Sequence, residues 1–195
     1  MFSNVFSLFS GEQSAVVDVL NIESTTVPEP SHPYYPLNLK LVKYTEPTYS
    51  FVFLLTCFFC AVSVVAILSL ILIYHKKSVA SLDKGYFIWF NITGCIHVFL
   101  EGYLSLFYGT IAEDNGIMSQ LWKEYSLSDS RYLSSDPFVV IMESVTAAIW
   151  GPVAFLTSIA IYNNYPSRHL LQLTISIGLK RFITGSTLSE LISYG

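Results

Sequence analysis

The sequence predicts an all-α integral membrane protein, a helical bundle with three complete transmembrane helices and part of a fourth. Three observations carry that expectation. Of 195 residues, 52% are hydrophobic and only 12% charged, too little charge to clothe a soluble domain of this size. Three long apolar runs, at 51–74, 86–108 and 138–162, are each long enough to cross a hydrocarbon core of roughly 30 Å at about 1.5 Å per helical residue. Aromatic residues flank these runs, where rings settle at a membrane–water interface. The net charge of -4 includes no long basic run, so neither nucleic acid nor an anionic lipid surface is implied as a partner.

Taken in order, residues 1–33 hold Glu12, Asp18, Glu23 and Glu29 with no Lys or Arg and end in "VPEPSHP", the pattern of a mobile acidic tail. They lack the basic start and sustained apolar core of a cleaved signal peptide. "HPYYPLNLKLVKY" follows, an aromatic and basic approach suited to the headgroup level. The first span, Phe51 to Tyr74, carries no charge. The second, Tyr86 to Tyr108, carries His97 and Glu101, and the third, Phe138 to Tyr162, carries Glu143. After Arg168 a fourth apolar stretch, "LLQLTISIGL", meets Lys180 and Arg181 at about half the length a span requires. The membrane domain, 34–195, is therefore expected to be incomplete at its carboxy-terminal side, and "FITGSTLSELISYG" is assigned no element.

Charge orients the spans. Lys76, Lys77 and Lys84 stand against Asp83 in the first loop, and Arg168, Lys180 and Arg181 follow the third span with no acid before Glu190. Between spans two and three the balance reverses, with Glu113, Asp114, Glu124, Asp129 and Asp136 against Lys123 and Arg131. Basic loops stay cytoplasmic, so the amino terminus and the second loop are expected on the lumenal or external side. Cys57, Cys60 and Cys95 lie inside apolar runs and read as small buried hydrophobes, although "CFFC" has the spacing of a redox or zinc pair. The sequon "NIT" at 91–93 is likewise inside a span.

The chemistry-bearing residues fall on two stripes. Positions four apart on a helix lie about 40° from one another, so Thr93, His97, Glu101 and Ser105 share one side of span two. Span three presents Glu143, Thr146, Ala147 and Trp150 at comparable spacing. Glu101 lies seven residues before Tyr108 and Glu143 five after Phe138, depths of about 10 and about 8 Å. In antiparallel helices the two carboxyls reach nearly one level. An acid at the bilayer centre costs about 2.5–3.5 kcal/mol on insertion scales, so it is placed there for a reason. Hydrogen-bonded packing between helices is one such reason, and a functional site is the other, favoured by the matched depths. A metal would want a second histidine, and His75 and His169 sit at the opposite interface, so no metal is expected. The chain has no nucleotide or phosphate motif and no nucleophile beside a base, so no cofactor is expected. A carboxylic acid in apolar surroundings holds its proton, while one supplied with hydrogen-bond donors stays ionised; together they can serve as proton donor and counter-ion. Proton transfer to a lipid-soluble substrate is the economical reading.

"HPYYP", "IHVFLEGY", "LWKEYSLSDSRY", "MESVTAAIWGP" and "LLQLTISIG", in this order over roughly residues 32–178, closely resemble the emopamil-binding protein family, the sterol Δ8–Δ7 isomerases of the endoplasmic reticulum. The resemblance implies a five-helix bundle that takes a sterol from the membrane, protonates it at C9, passes through a carbocation at C8 and removes a proton from C7, with no cofactor. It implies that His97 and Glu101 are the proton-transfer pair and that Glu143 and Thr146 face the cation; Thr93 and Trp150, on the same two stripes, are the candidate substrate contacts. It further implies a multi-pass endoplasmic-reticulum protein with a lumenal amino terminus, which binds cationic amphiphiles and for which a homodimer is a compatible assembly. A non-catalytic relative that binds sterols or cationic amphiphiles is the alternative, against which "IWGP" at 149–152 leans. After "LQLTISIG" the family continues into the rest of a fourth helix and a fifth, bringing a tryptophan and an asparagine to the cavity, whereas this chain reads "LKRFITGSTLSELISYG". A truncated form is the corresponding expectation.

Overall fold

The computed structural model describes residues 32–178 except Val42. All but the last two residues of the acidic amino-terminal segment lie outside the described residues, as do Lys180, Arg181 and the closing residues 182–195. Among the described residues the secondary structure is entirely helical. Three helices among the described residues are long and apolar enough to cross a membrane: α1 (Phe51–Tyr74), α2 (Ser81–Phe107) and α4 (Pro137–Tyr162). Between α2 and α4 lie a short α3 (Ile117–Tyr125) and a single 3₁₀ turn, Ser130–Tyr132. Residues 168–178 form α5.

Local chemistry sets the helix ends. Ser50 caps α1 by accepting from the Phe53 amide, and Asp136 caps α4 by accepting from the amides of Phe138 and Val139, with Pro137 in the first turn where its missing N–H costs nothing. The first and third spans end where the aromatic flanks predict, at Tyr74 and Tyr162. The second begins at Ser81, five residues before the expected Tyr86, because the loop charges find partners there. Asp83 sits in the first turn, favourable for the helix dipole, and pairs with Arg168 at 3.4 Å, while Lys84 donates to the Tyr74 carbonyl at 3.1 Å. Past Tyr162 the chain reverses through Asn164, at a φ of 58°, whose side chain accepts from Arg168.

Neither α2 nor α4 is a continuous α-helix, as the expected stripes assumed. Each contains a π-helical turn, Ile96–Glu101 in α2 and Thr146–Trp150 in α4, and the two turns pack against each other. Small residues allow the approach: a Cβ added at Gly151 would lie 2.6 Å from Val98 Cγ2, and one at Gly94 would lie 2.9 Å from the Phe155 ring. π-Turns of this kind are uncommon and gather at functional sites.

The core divides into two clusters. One, at the α3 end, joins Leu104, Ile111, Trp122, Tyr132, Leu133 and Val139 to Tyr34, Leu41 and Tyr44 of the chain before α1. Tyr34 and Tyr44 are thus buried under α3 rather than lying out at the headgroup level as expected, whereas Tyr35 and Leu37 are exposed. The second cluster, at the α5 end, contains Ile73, Phe87, Phe90, Ala154, Ile161 and Ile175. Most of α1 presents its apolar side chains outward, with only Leu54, Ser69 and Ile73 buried.

α3 inverts the usual amphipathic order, since Ser119, Gln120 and Lys123 are fully buried while Ile117 and Tyr125 are exposed. The polar side chains are matched. Gln120 Oε1 accepts from the amides of Thr48 (2.9 Å) and Tyr49 (2.8 Å), and its Nε2 donates to the Asn115 carbonyl (2.7 Å). Lys123 Nζ donates to the Thr45 carbonyl (2.7 Å) and to Asn115 Oδ1 (3.1 Å). Burial pushes the Lys123 ammonium below its usual pKa, with Asp114 opposing that shift. These bonds clamp the segment before α1 onto α3, and with it the loop that completes the site.

Candidate functional site

His97 sits in the α2 π-turn, buried, with Nδ1 2.6 Å from Glu101 Oε2. The neighbouring carbonyl of Leu100, in the same turn, accepts from Trp122 Nε1 at 3.2 Å, which ties the turn to α3. Ser105 donates back to the Glu101 carbonyl at 2.9 Å. Nε2 of His97 is buried and has no hydrogen-bond partner among the described residues, so the ring keeps one nitrogen in reserve.

Glu143 lies just before the α4 π-turn, also buried, and holds a different set of partners. Its Oε1 accepts from the Tyr132 hydroxyl at 3.0 Å. Thr146 donates to the Glu143 carbonyl at 2.8 Å and lies 3.4 Å from its Oε2, a long second contact. Tyr132 is delivered by the loop after α3. Its ring stacks on Trp122 with centroids 5.4 Å apart and meets the edge of Tyr125 at 4.8 Å. The turn beneath it is closed by Asp129, which accepts from the Arg131 amide at 3.1 Å and from its guanidinium at 2.8 Å, and by Ser130, which donates to the Tyr35 carbonyl at 2.6 Å. Burial, with the Glu143 carboxyl beside it, pushes the Tyr132 phenol well up, so it stays protonated and stays a donor.

Glu101 and Glu143 open into one cavity of about 500 Å³, walled by Trp122, Tyr132 and, from α1, Phe51, Leu55 and Phe58. The structure therefore brings four of the expected residues together: His97 bonded to Glu101, and Thr146 bonded to Glu143, with both carboxyls on the same space. Thr93 and Trp150 do not line it. Thr93 is half-buried about one turn before His97 on α2. Trp150 packs with the α5-end cluster, its ring so close to Gly178 that an added Cβ there would lie 2.2 Å away. The π-turn rotates everything beyond it, so a stripe drawn on an ideal α-helix does not continue through it.

No helical stripe or spacing in the sequence points to Tyr132. Its only signal is its place at the end of "LWKEYSLSDSRY", a polar loop stretch that membrane insertion does not require. Among the described residues no three His, Cys, Asp or Glu side chains gather as a metal's ligand set.

The EXPERA (EXPanded EBP superfamily) family model matches residues 117–180. The chain is 41% identical over 157 residues to the 3-beta-hydroxysteroid-Delta(8),Delta(7)-isomerase of Mus musculus, covering 79% of this chain and 68% of that protein. It is 40% identical over 160 residues to the Rattus norvegicus protein of the same name, with 79% and 68% covered. A probable 3-beta-hydroxysteroid-Delta(8),Delta(7)-isomerase of Arabidopsis thaliana is 37% identical over 151 residues, with 76% and 66% covered. The chain belongs to the EXPERA (expanded emopamil-binding protein) family. The stretch matched by the EXPERA model begins with α3, so it contains the Trp122 and Tyr132 rings as well as Glu143, Thr146 and Trp150; His97 and Glu101 precede it. As an EXPERA protein it is a multi-pass membrane protein, in keeping with its three spanning helices.

Proposed function

We propose that this EXPERA-family chain is a sterol isomerase that moves a ring double bond from the Δ8 to the Δ7 position by proton transfer within the membrane. The observation that carries the reading is the pair of unlike carboxyls on one cavity, Glu101 held by a histidine and Glu143 by two hydroxyls. A proton is delivered to C9, the π electrons of the C8–C9 bond form the new C9–H bond, and C8 is left cationic. Loss of a proton from C7 then returns its electron pair to form the C7–C8 bond. One proton enters and one leaves, with no change of oxidation state, so the reaction consumes nothing.

In this reading the His97–Glu101 pair moves the protons, because a 2.6 Å contact between imidazole and carboxyl lets the two share one. Glu143 stands toward the C8 cation with Tyr132 and Thr146 as donors to its oxygens, a fixed dipolar surface where positive charge develops. Thr93 and Trp150 are outside the residues that line the cavity. The same arrangement suits cationic amphiphilic amines, whose charge imitates the carbocation. The charge bias of the loops supports an amino terminus on the non-cytoplasmic side, which is lumenal in the endoplasmic-reticulum membrane that the family resemblance implies.

The test is turnover of a Δ8 sterol by the full chain in lipid nanodiscs made up in D2O, read by mass and by deuterium position. The expected product is the Δ7 isomer carrying deuterium at C9. Sterol binding with no turnover, at verified folding, would instead assign a binding protein without catalysis.

A further inference from the structure

A second cavity, of about 380 Å³, adjoins the site and is not used by the chemistry above. It is enclosed by α1, α2 and, through Ile117, Met118 and Leu121, one face of α3, shares Phe58, Leu100 and Leu121 with the carboxyl-bearing cavity, and is lined by apolar side chains and the thiols of Cys57 and Cys95. The two spaces are ordered along the helices. On α1 the carboxyl-bearing cavity takes Phe51 to Phe58, and the apolar one continues from Leu54 to Val65, about 16 Å of helix rise. On α2 the lining descends in the same sense, from Glu101 through Ile96 to Ile92. Glu124, on α3, lines the carboxyl-bearing cavity and not the apolar one, and its carboxylate makes no hydrogen bond or ion pair among the described residues.

A sterol has the same polarity: a hydroxyl at one end, fused rings with the reacting carbons in the middle, and a branched alkyl tail. We propose that the apolar cavity is the berth for that tail, so that the substrate binds with its hydroxyl toward Glu124, its rings at Glu101 and Glu143, and its tail between Cys57 and Cys95. This inference rests on the sterol-isomerase reading. The bound sterol keeps the orientation it has in a lipid leaflet, head at the interface and tail toward the bilayer centre, and it enters sideways without inverting. Matching an apolar tail to an apolar berth also makes tail structure a determinant of substrate choice, since pocket contacts of this kind discriminate by about 10- to 200-fold per altered group.

Val62→Phe and Val65→Phe fill the berth without touching the carboxyls. Each variant is assayed in nanodiscs with a Δ8 sterol carrying the full side chain at C17 and with a Δ8 3β-hydroxysteroid lacking it. The expected result is a fall in kcat/KM of about tenfold or more for the tailed sterol, with the tail-less one unaffected and so reporting a folded enzyme. Equal losses on both substrates in stably folded variants, or no loss on either, would overturn the berth and leave the cavity to a lipid acyl chain. If the unaltered chain converts neither substrate, the isomerase reading fails, and a second measurement tests the berth without turnover. Single-cysteine forms retaining Cys57, Cys95 or the exposed Cys60 are labelled with N-ethylmaleimide. The tailed sterol should slow labelling at Cys57 and Cys95 but not at Cys60, and the tail-less one should not. Equal labelling rates with and without tailed sterol would refute the proposal, as would equal protection by the tail-less steroid.

Discussion

Replacing Tyr132 by Phe removes one oxygen and keeps the ring, so it separates what the aromatic cluster does for the fold from what the hydroxyl does for Glu143. The ring's stack on Trp122 and its edge contact with Tyr125 survive in the variant. What disappears is the 3.0 Å donation to Glu143 Oε1. That oxygen is buried and, among the described residues, its neighbour Oε2 has only the long 3.4 Å contact with Thr146, so no described side chain replaces the lost donor. A hydrogen bond to a charged group is worth about 1.5–3 kcal/mol, which at about 1.36 kcal/mol per tenfold predicts a fall in kcat/KM of about 10- to 150-fold. The fall should appear in turnover of a Δ8 sterol, measured by chromatography of the Δ7 product from protein in nanodiscs, while the melting temperature moves little. Wild-type turnover in Tyr132→Phe would show that Glu143 needs no donor from the loop and would refute the assignment of Tyr132 to the site. A melting temperature that collapses together with activity would place the hydroxyl in folding instead.

Three further outcomes are expected. Glu101→Gln keeps size and hydrogen bonding but cannot exchange a proton with His97, so turnover should drop by about 10²- to 10⁴-fold with membrane insertion unchanged; wild-type rates in a folded Gln variant would make Glu101 a packing residue. Gly151→Ala should destabilise by about 1–3 kcal/mol despite the usual helix preference for alanine, because its Cβ would lie 2.6 Å from the stiff β-branched Val98 and 3.3 Å from His97 Cβ; an Ala variant as heat-stable and active as wild type would mean that the two π-turns tolerate separation. Asp114 is held below the usual carboxylate pKa by Ser119 first, then by the Gly116 amide and Tyr103, with burial opposing them. A lowered folded-state value means its stabilisation is present above the unfolded value of about 4 and is lost as pH falls through the folded one, so thermal melts between pH 7 and pH 2 should show an acid limb that Asp114→Asn flattens. An unchanged acid limb would exclude Asp114 as its source.

The depth of the site was legible in the sequence, and its azimuth was not. Helical rise is nearly constant per residue, so counting from Tyr108 and from Phe138 set Glu101 and Glu143 at one level, and both indeed line one cavity. Rotation about the axis is less forgiving. One residue adds about 100° in an α-helix, so a single π-turn in each span re-aims every later side chain, and Trp150 turns to the α5-end cluster while Ser105 turns to its own backbone. The spans themselves needed only composition, since about 20 apolar residues cross a bilayer whatever they pack against. The same uniformity hid which faces meet, because lipid accepts an apolar side chain as readily as a neighbouring helix does. Chain-distant contacts lay beyond any local pattern. The burial of Gln120 and Lys123 against the segment before α1, and the delivery of Tyr132 to Glu143, depend on residues far apart in sequence finding each other. Sequence by itself determined the three membrane-spanning helices among the described residues, with acids and a histidine at matched depth, because hydrophobic length and helical rise are local properties. Which of those groups share a cavity, and which loop hydroxyl completes it, only the tertiary structure decided, because a buried carboxyl takes its partner from whatever packing brings within hydrogen-bond reach.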